Sequence, residues 1–252
     1  MRAMILAAGL GTRLRPLTDD RPKALVEVAG HTLLEITLRR LQQFGVREVI
    51  VNVHHFADMV VDYLKKNGNF GMRIEISRED VLLDTGGGLK KAAWFFLEDS
   101  RSAYSGKEKP FILHNVDVLS TINLARMMQF HHDTQALATL AVQDRKTSRY
   151  LLFDEHRQLC GRRVGDNAPE LVRPAQESHP WAFSGVHVIS PRLLHSITEE
   201  GVFSIITSYL RLAGEGAGIF AFRADKYYWR DLGRPEHVAQ ATQDVAQQVL
   251  QL

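Results

Sequence analysis

Five residues near the start of the chain have the charge or backbone freedom that phosphate chemistry uses. Gly9 and Gly11 follow a short apolar run, and glycine lets a backbone come close to a ligand. Successive peptide N–H groups in such a turn form a concavity that binds anions. Arg13 and Arg15 add planar charged forks that match phosphate oxygens, and Lys23 follows two stiffening prolines, Pro16 and Pro22. The stretch therefore indicates a site for a ligand rich in phosphate groups.

Two familiar phosphate-binding motifs do not match this turn. A P-loop needs Gly-Lys-Ser/Thr at its second glycine, whereas Gly11 is followed by Thr12 and Arg13. A Rossmann fingerprint needs a third glycine three residues after the second, and that position is Leu14. On the residues alone, a tight strand-to-helix turn with surface arginines is the other interpretation.

A second glycine run and a strand-ending carboxylate extend the pattern. Gly86, Gly87 and Gly88 precede the apolar stretch 89–97, and amides ahead of a helix can approach a ligand. A flexible hinge is the alternative interpretation of that run.

Asp117 follows the apolar stretch 111–114, at the edge where open α/β sheets bind ligands. It is a possible Mg²⁺ ligand or, more simply, a capping residue.

The full spacing of the first loop is more specific than its separate residues. Leu6-Ala-Ala-Gly-Leu-Gly-Thr-Arg-Leu-Arg-Pro-Leu-Thr, followed by Arg21-Pro-Lys-Ala-Leu-Val26, resembles the signature of the sugar-1-phosphate nucleotidyltransferases. The resemblance implies catalytic roles for Arg13, Lys23 and Asp117. It also implies that the nucleotide is bound by the following residues: Leu6, Ala8, Gly9, Gly11, Thr12, Arg13, Asp84, Gly86 and Gly87.

The resemblance continues towards the end of the chain. Trp229-Arg-Asp-Leu-Gly233 resembles the family's Trp-x-Asp-x-Gly element, which implies that Asp231 and Asp117 together bind Mg²⁺ as the cofactor. Phe183-Ser-Gly185 resembles the region that contacts the sugar, so Asn115, Ser184 and Gly185 are implied to bind the sugar phosphate. The family often has a small residue before the first of these aspartates, and here it is Val116, which leaves the shape of the sugar pocket open.

Alternating strands and helices must position these residues. Apolar runs and turn residues predict strands at 49–53, 73–77, 111–114, 136–142 and 183–189, a hairpin at 150–164, and helices at 57–66, 122–133 and 236–250. This alternation predicts an α/β fold with a Rossmann-like, doubly wound sheet. With the resemblance, we expect a mixed, mainly parallel sheet of the glycosyltransferase-A-like type. We also expect a surface loop at 99–109.

Composition and length agree with one catalytic domain over residues 1–252. Its nucleotide-binding part is predicted at about 1–120, its sugar-phosphate-binding part at about 121–235, and a final helix at 236–250. A formal charge of +2 does not favour nucleic acid or a membrane as partner. The single cysteine, Cys160, suits a cytoplasmic protein, and we expect a monomer or small homo-oligomer.

The function expected from the resemblance joins a nucleoside triphosphate, UTP or GTP, to a sugar 1-phosphate and releases pyrophosphate. The Asp84-Thr-Gly-Gly-Gly88 and Phe183-Ser-Gly185 runs favour UTP. Three alternatives stay open: a glycosyltransferase of related fold, a choline-phosphate cytidylyltransferase, and a non-catalytic module that senses nucleotide sugars. Product analysis, a choline-phosphate assay, and binding without turnover would identify each of them respectively.

Overall fold

A computed structural model describes residues 1–97 and 109–251. The strands are β1 (Arg2–Leu6), β2 (Glu27–Val28), β3 (His31–Thr32), β4 (Glu48–Val53), β5 (Arg73–Arg78), β6 (Phe111–Asn115), β7 (Val118–Ser120), β8 (Ala138–Gln143), β9 (Arg149–Phe153), β10 (Leu159–Val164), β11 (Glu170–Leu171), β12 (His179–Ile189), β13 (Ile219–Arg223) and β14 (Trp229–Asp231). The helices are α1 (Leu33–Gln43), α2 (Ala57–Lys66), α3 (Asp84–Lys91), α4 (Trp94–Leu97), α5 (Leu124–Asp133), α6 (Arg192–His195), α7 (Ile205–Gly214) and α8 (Pro235–Ala246), with 3-10 turns at Thr12–Leu14, Lys23–Leu25 and Gly68–Gly71.

β1 lies between two hydrophobic cores, one on each face of the sheet. Ala3 and Ile5 belong to one core and Met4 to the other, and all three are fully buried. Successive side chains of a strand point to opposite faces, so a continuous apolar run is what a strand covered on both faces requires. Leu34 of α1 packs in the first core and Tyr209 of α7 in the second.

The main sheet is mixed. β5, β4, β1 and β6 run parallel in that order, and β12 then pairs antiparallel with β6. The long β12 also pairs with β8 and, nearer its start, with β9, which continues into the β10 hairpin. β13 lies parallel to β8. The predicted α/β fold with a doubly wound, mixed sheet is confirmed.

The carboxyl ends of the parallel strands place polar residues at one edge. Leu6 of β1 lies in register with Asn52 on one side and with Asn115 on the other. β7 and β14 form a separate two-stranded ribbon in which Asp231 is opposite Val118. The ribbon therefore brings Asp231 next to Asp117, although the two residues are far apart in sequence.

Two details differ from the sequence prediction. α3 begins at Asp84 and contains the three glycines, whereas the sequence predicts a helix that follows them. α8 ends at Ala246, before the predicted end at residue 250. The predicted surface loop at 99–109 falls almost wholly on residues 98–108, outside the described residues.

In the part that the structure describes, no helix has the length and apolar character needed to cross a membrane.

Candidate active site

The two glycines of the first loop have different surroundings. Gly11 has a φ of +66°, and a Cβ built on it would lie 3.0 Å from Cγ2 of Thr18. The Thr18 hydroxyl donates to the Gly11 carbonyl at 2.8 Å, which fixes the turn. A Cβ on Gly9 would meet nothing within 4 Å. Gly11 therefore shapes the loop, whereas Gly9 faces open space where a ligand can approach its backbone.

That open space is a cavity of about 500 Å³ at the carboxyl edge of the sheet. Among the residues predicted to form the site, those that line it are Leu6, Ala8, Gly9, Arg13, Lys23, Asp84, Asn115 and Asp117. The structure adds Asn52, Glu79, Leu82, Thr85, Val116 and Val202 to its lining. Most of the predicted nucleotide and catalytic residues thus meet in one cavity.

Lys23 and Asp117 form an ion pair in the wall of this cavity. The Lys23 ammonium donates to Oδ2 of Asp117, and their side chains are only 14% and 15% exposed. The 3-10 turn that begins at Lys23 follows Pro22, whose extended backbone directs the chain into it. The carboxylate thus holds a cation, partly shielded from water, against the space where a phosphate would lie.

Asp231 and Arg13 lie on the same side of the cavity. The Leu232 amide donates to the Asp117 carbonyl at 2.8 Å, and the Gly233 amide donates to Oδ1 of Asp231 at 2.6 Å. A Cβ on Gly233 would lie 2.6 Å from that oxygen and 3.0 Å from Nη2 of Arg13. Glycine at this position therefore lets the Arg13 guanidinium lie close to the turn that holds Asp231.

The two carboxylates are suitable ligands for a divalent cation. Their hydrogen bonds use Oδ2 of Asp117 and Oδ1 of Asp231, which in the described chain leaves the second oxygen of each for an ion. Mg²⁺ commonly takes one or two carboxylates together with substrate phosphate oxygens. Within residues 1–97 and 109–251, no group of three or more His, Cys, Asp and Glu side chains is placed to hold a metal. Phosphate oxygens and water would have to complete the coordination of an ion at this pair.

The second glycine run packs against a distant segment. The amides of Gly86 and Gly87 both donate to the Phe203 carbonyl, at 2.9 and 3.3 Å. A Cβ on Gly86 would lie 2.3 Å from the Phe203 ring, and one on Gly87 would lie 2.5 Å from the Gly201 carbonyl oxygen. These glycines allow the close contact of α3 with residues 201–203, and in this structure the two amides are already engaged.

A buried polar chain joins the first loop to the start of α3. The Ala7 amide donates to Oδ1 of Asn52 at 2.7 Å, and Nδ2 of Asn52 donates to Oε1 of Glu79 at 2.7 Å. Oε2 of Glu79 accepts from the Leu83 amide at 3.0 Å. Asn52 is 2% and Glu79 4% exposed. This chain holds both loops of the cavity in one relative position.

The predicted sugar-side residues lie where β12 bends. The register of β12 against β8 shifts between Phe183 and His187, and Gly185 has a φ of +74°. A Cβ on Gly185 would lie 2.7 Å from Cγ2 of Val118 and 3.0 Å from Nδ2 of Asn115. Oδ1 of Asn115 is buried without a hydrogen-bond partner in the described chain. Asn115 therefore presents an unsatisfied acceptor beside the bend.

Ser184 and Val116 are more internal than the sequence suggested. The Ser184 side chain is fully buried, and its hydroxyl faces Oε1 of Gln143 at 3.5 Å. Its carbonyl accepts from Nε1 of Trp229 at 2.8 Å, which ties β12 to β14. Val116 is 3% exposed and belongs to a hydrophobic core, although it also lines the cavity. Ser184 thus positions the neighbouring strands through its backbone.

Arg145 is a cation at this site that the sequence analysis did not identify. Its guanidinium carbon lies 3.8 Å from the centre of the Trp229 ring, and Nη2 donates to the Phe183 carbonyl at 2.8 Å. Burial lowers the pKa of Arg145, while the nearby Asp231 carboxylate acts in the opposite direction. Its Nε is buried without a partner in the described residues. No motif marks this residue, because only the fold brings the loop after β8 next to β14.

Comparison with known proteins matches this arrangement to a family. The nucleotidyl transferase family model matches residues 2–248. The chain is 36% identical over 244 residues to an N-acetylmuramate alpha-1-phosphate uridylyltransferase of Caulobacter vibrioides, with 93% of this chain and 92% of that protein covered. It is 27% identical to a UTP–glucose-1-phosphate uridylyltransferase of Synechocystis, covering 97% of this chain but 63% of that longer protein. The crystal structure of HddC from Yersinia pseudotuberculosis shares the fold, with a TM-score of 0.73 and 22% identity over 97% of this chain and 99% of that one.

Proposed function

The chain belongs to the nucleotidyl transferase family, and we propose that it transfers a nucleotidyl group from a nucleoside triphosphate to a sugar 1-phosphate. One observation carries the proposal. Arg13, Lys23 and Asp117 line one cavity, and the fold adds Asp231 beside them. Two anionic substrates repel each other, so their reaction depends on positive charge and on positioning. The cavity has both, since Arg13 and Lys23 are held in place by neighbouring strands and turns.

The reaction proceeds by displacement at the α-phosphorus. A phosphate oxygen of the sugar 1-phosphate forms a bond to that phosphorus, while the bond from the phosphorus to the bridging oxygen breaks and pyrophosphate leaves. Lys23, held by Asp117, stabilises the negative charge that develops on the α-phosphate. Arg13 balances the charge of the departing pyrophosphate. The attacking phosphate is already anionic near neutral pH, so no general base is required.

Asp117 and Asp231 are the residues that we propose to hold Mg²⁺. The ion, when bound, would neutralise phosphate charge as a Lewis acid. The role of the protein is to keep the two carboxylates together at one end of the β7–β14 ribbon, where the Leu232 amide bonds the Asp117 carbonyl and the Gly233 amide bonds the Asp231 carboxylate.

We assign the nucleotide to residues of about 1–120 and the sugar phosphate to residues of about 121–235. The triphosphate lies against Gly9 and Arg13, and the nucleoside extends along the polar chain of Asn52 and Glu79 towards α3. UTP is favoured over GTP, because the relative matched over 92% of its length is named a uridylyltransferase.

The test is pyrophosphate release with Mg²⁺ for four nucleoside triphosphates, each combined with a panel of sugar 1-phosphates. We expect turnover with UTP and at least one sugar 1-phosphate. Lys23→Met should lower kcat by about 10²–10³-fold, the loss typical of a removed transition-state donor. Asp117→Asn should lower it as well. The matched control is Lys66→Met, since Lys66 is an exposed lysine at the end of α2.

Other outcomes would identify a different function. Nucleotide binding without turnover for any pair would support a sensing module instead of an enzyme. Transfer from a nucleotide sugar, without pyrophosphate release, would support a glycosyltransferase. Wild-type turnover by Lys23→Met would contradict the charge role given to this lysine.

A further inference from the structure

A second cavity of about 860 Å³ lies next to the predicted sugar-binding region. The loop before β9 and the loop after β10, residues 146–150 and 163–169, form its walls. The Gly165 amide donates to the Ser148 carbonyl at 2.7 Å, and the Thr147 amide donates to the Tyr150 hydroxyl at 3.2 Å. The first bond joins the two loops and the second lies within the loop before β9, so the cavity, which we call the hairpin groove, has a defined shape.

The hairpin groove contains an arginine that has no anionic partner in the part of the chain that the structure describes. The guanidinium of Arg163 lies over the Tyr150 ring, 4.9 Å from its centre, and its Nε is buried with no hydrogen-bond partner among those residues. The preceding residue, Arg162, is paired instead with Glu170 at 2.7 Å. A buried N–H without an acceptor is unfavourable, so the position of Arg163 is best explained by an acceptor that arrives with a ligand.

The charge around this arginine is also suited to an anion. Among the described residues, Lys146 and Arg163 line the groove with a single carboxylate, that of the exposed Asp166. Arg145 precedes Lys146 and lies over Trp229 on the side of Asp231. The loop after β8 therefore places Arg145 beside the reaction site and Lys146 in the hairpin groove.

β12 connects the groove to the residues predicted to bind the sugar phosphate. Tyr150 is opposite Ala182 in the β9–β12 pairing, and the bend at Gly185, beside Asn115, follows only three residues later. A sugar whose 1-phosphate lies near Lys23 would extend along this strand towards the hairpin. Substituents on the ring would then be nearest to the groove.

We propose that the hairpin groove is a subsite for an anionic substituent on the sugar ring of the acceptor, and that Arg163 is its main specificity-determining residue. A carboxylate can accept two parallel hydrogen bonds from one guanidinium, which would satisfy Nε. The proposal rests on the proposed function, because it concerns the acceptor of that reaction. The name of the relative matched over 92% of its length, an N-acetylmuramate phosphate enzyme, indicates an acceptor with such a carboxylate.

The experiment compares two sugar 1-phosphates that differ only in the acidic group. N-acetylmuramic acid 1-phosphate carries a lactyl carboxylate on its ring, and N-acetylglucosamine 1-phosphate lacks it. The wild-type protein should prefer the first in kcat/KM. Arg163→Gln should lower that preference about tenfold to a hundredfold, through KM and with little change in kcat. Arg163→Lys should restore part of it, and Arg162→Gln on the same strand should leave it unchanged.

Calorimetric binding of both sugar phosphates, measured beside turnover, separates this proposal from the proposed function. If no pair turns over but the acidic sugar phosphate binds more tightly and depends on Arg163, the reaction is wrong and the subsite is supported. Equal affinity within this pair and also within the pair of glucose 1,6-bisphosphate and glucose 1-phosphate, or a preference that Arg163→Gln leaves intact, would overturn the subsite. A second pair, glucose 1,6-bisphosphate and glucose 1-phosphate, tests whether the anion is a phosphate group. An Arg163-dependent preference for the bisphosphate, without a preference between the first two compounds, would support the subsite and assign it a phosphate.

Discussion

The polar chain through Asn52 and Glu79 makes a prediction that depends on the count of donors and acceptors. Oδ1 of Asn52 accepts from the Ala7 amide, so its Nδ2 must point at Glu79. Glu79 then needs two acceptor oxygens, one for Asn52 and one for the Leu83 amide. A carboxylate has two, and a carboxamide has one. Glu79→Gln, which changes the shape of the side chain very little, therefore leaves two donors facing each other in every orientation.

The size of the effect follows from burial. Both side chains are at most 4% exposed, so water cannot easily replace the lost acceptor. An unsatisfied buried donor destabilises by about 1–3 kcal/mol. For a chain of this size, each kcal/mol of destabilisation lowers Tm by about 2–4 °C. Asn52→Asp should also destabilise, because two carboxylates would then face each other where the amide and the acid are 2.7 Å apart.

The double variant Asn52→Asp/Glu79→Gln restores the count. The carboxylate introduced at position 52 would accept from both the Ala7 amide and the carboxamide introduced at position 79. The oxygen of that carboxamide would in turn accept from the Leu83 amide. Urea unfolding of the four proteins should give a double variant more stable than the sum of the single changes by at least about 1 kcal/mol. Unchanged stability in Glu79→Gln, or simple additivity in the double variant, would refute this account of the chain.

The remaining predictions concern two glycine positions and the pH dependence of stability. Gly185→Ala should lower the unfolding free energy by about 1–3 kcal/mol, since its Cβ would lie 2.7 Å from Val118 at a φ of +74°. Gly9→Ala meets nothing within 4 Å and should keep the wild-type Tm but raise KM for the nucleotide; an unchanged KM would contradict a close phosphate approach. Burial lowers the pKa of His114 to about 4 and that of His187 to about 3, from 6.5. The unfolded chain therefore binds these protons first, and stability should fall from about pH 6.5 to pH 4, by up to about 1.4 kcal/mol per pH unit for each histidine. Urea unfolding at several pH values should show a shallower fall in His187→Gln, and an unchanged slope would contradict the assignment.

Much of the cavity at the sheet edge could be predicted, because local rules determine which strand ends meet there. A continuous apolar run specifies a strand with both faces buried, and the parallel arrangement puts the ends of β1, β4 and β6 at one edge. Asp117 follows from this rule. Asn52 and Glu79 follow from it as well, at the ends of β4 and β5, so the signal for them is also present in the sequence.

The remaining features depend on contacts between distant segments. The role of Gly86 and Gly87 is decided by Phe203, and no local pattern tells whether their amides face a ligand or another loop. Arg145 could not be predicted because its place over Trp229 results from the packing of two separate parts of the chain. The family resemblance supplied Asp231, which periodicity alone would have left as a strand-ending residue.

The two halves of the site differ in how tightly they are tied to the core, and this bears on how specificity is set. The phosphate side consists of strand ends that are bonded to each other across β1, β4 and β5 through the Ala7 amide, Asn52 and Glu79, so a change there should disturb both reaction and fold. The hairpin of β9 and β10 pairs with β12 and also bonds β13 through the Ala221 amide and the Arg157 carbonyl, but the two loops that form the groove around Arg163 are mostly exposed. A substitution in those loops can change the sugar that is accepted without moving Lys23 or Asp117. The acceptor of this protein is therefore best sought by varying the ring substituents of the sugar, with the phosphate chemistry held constant.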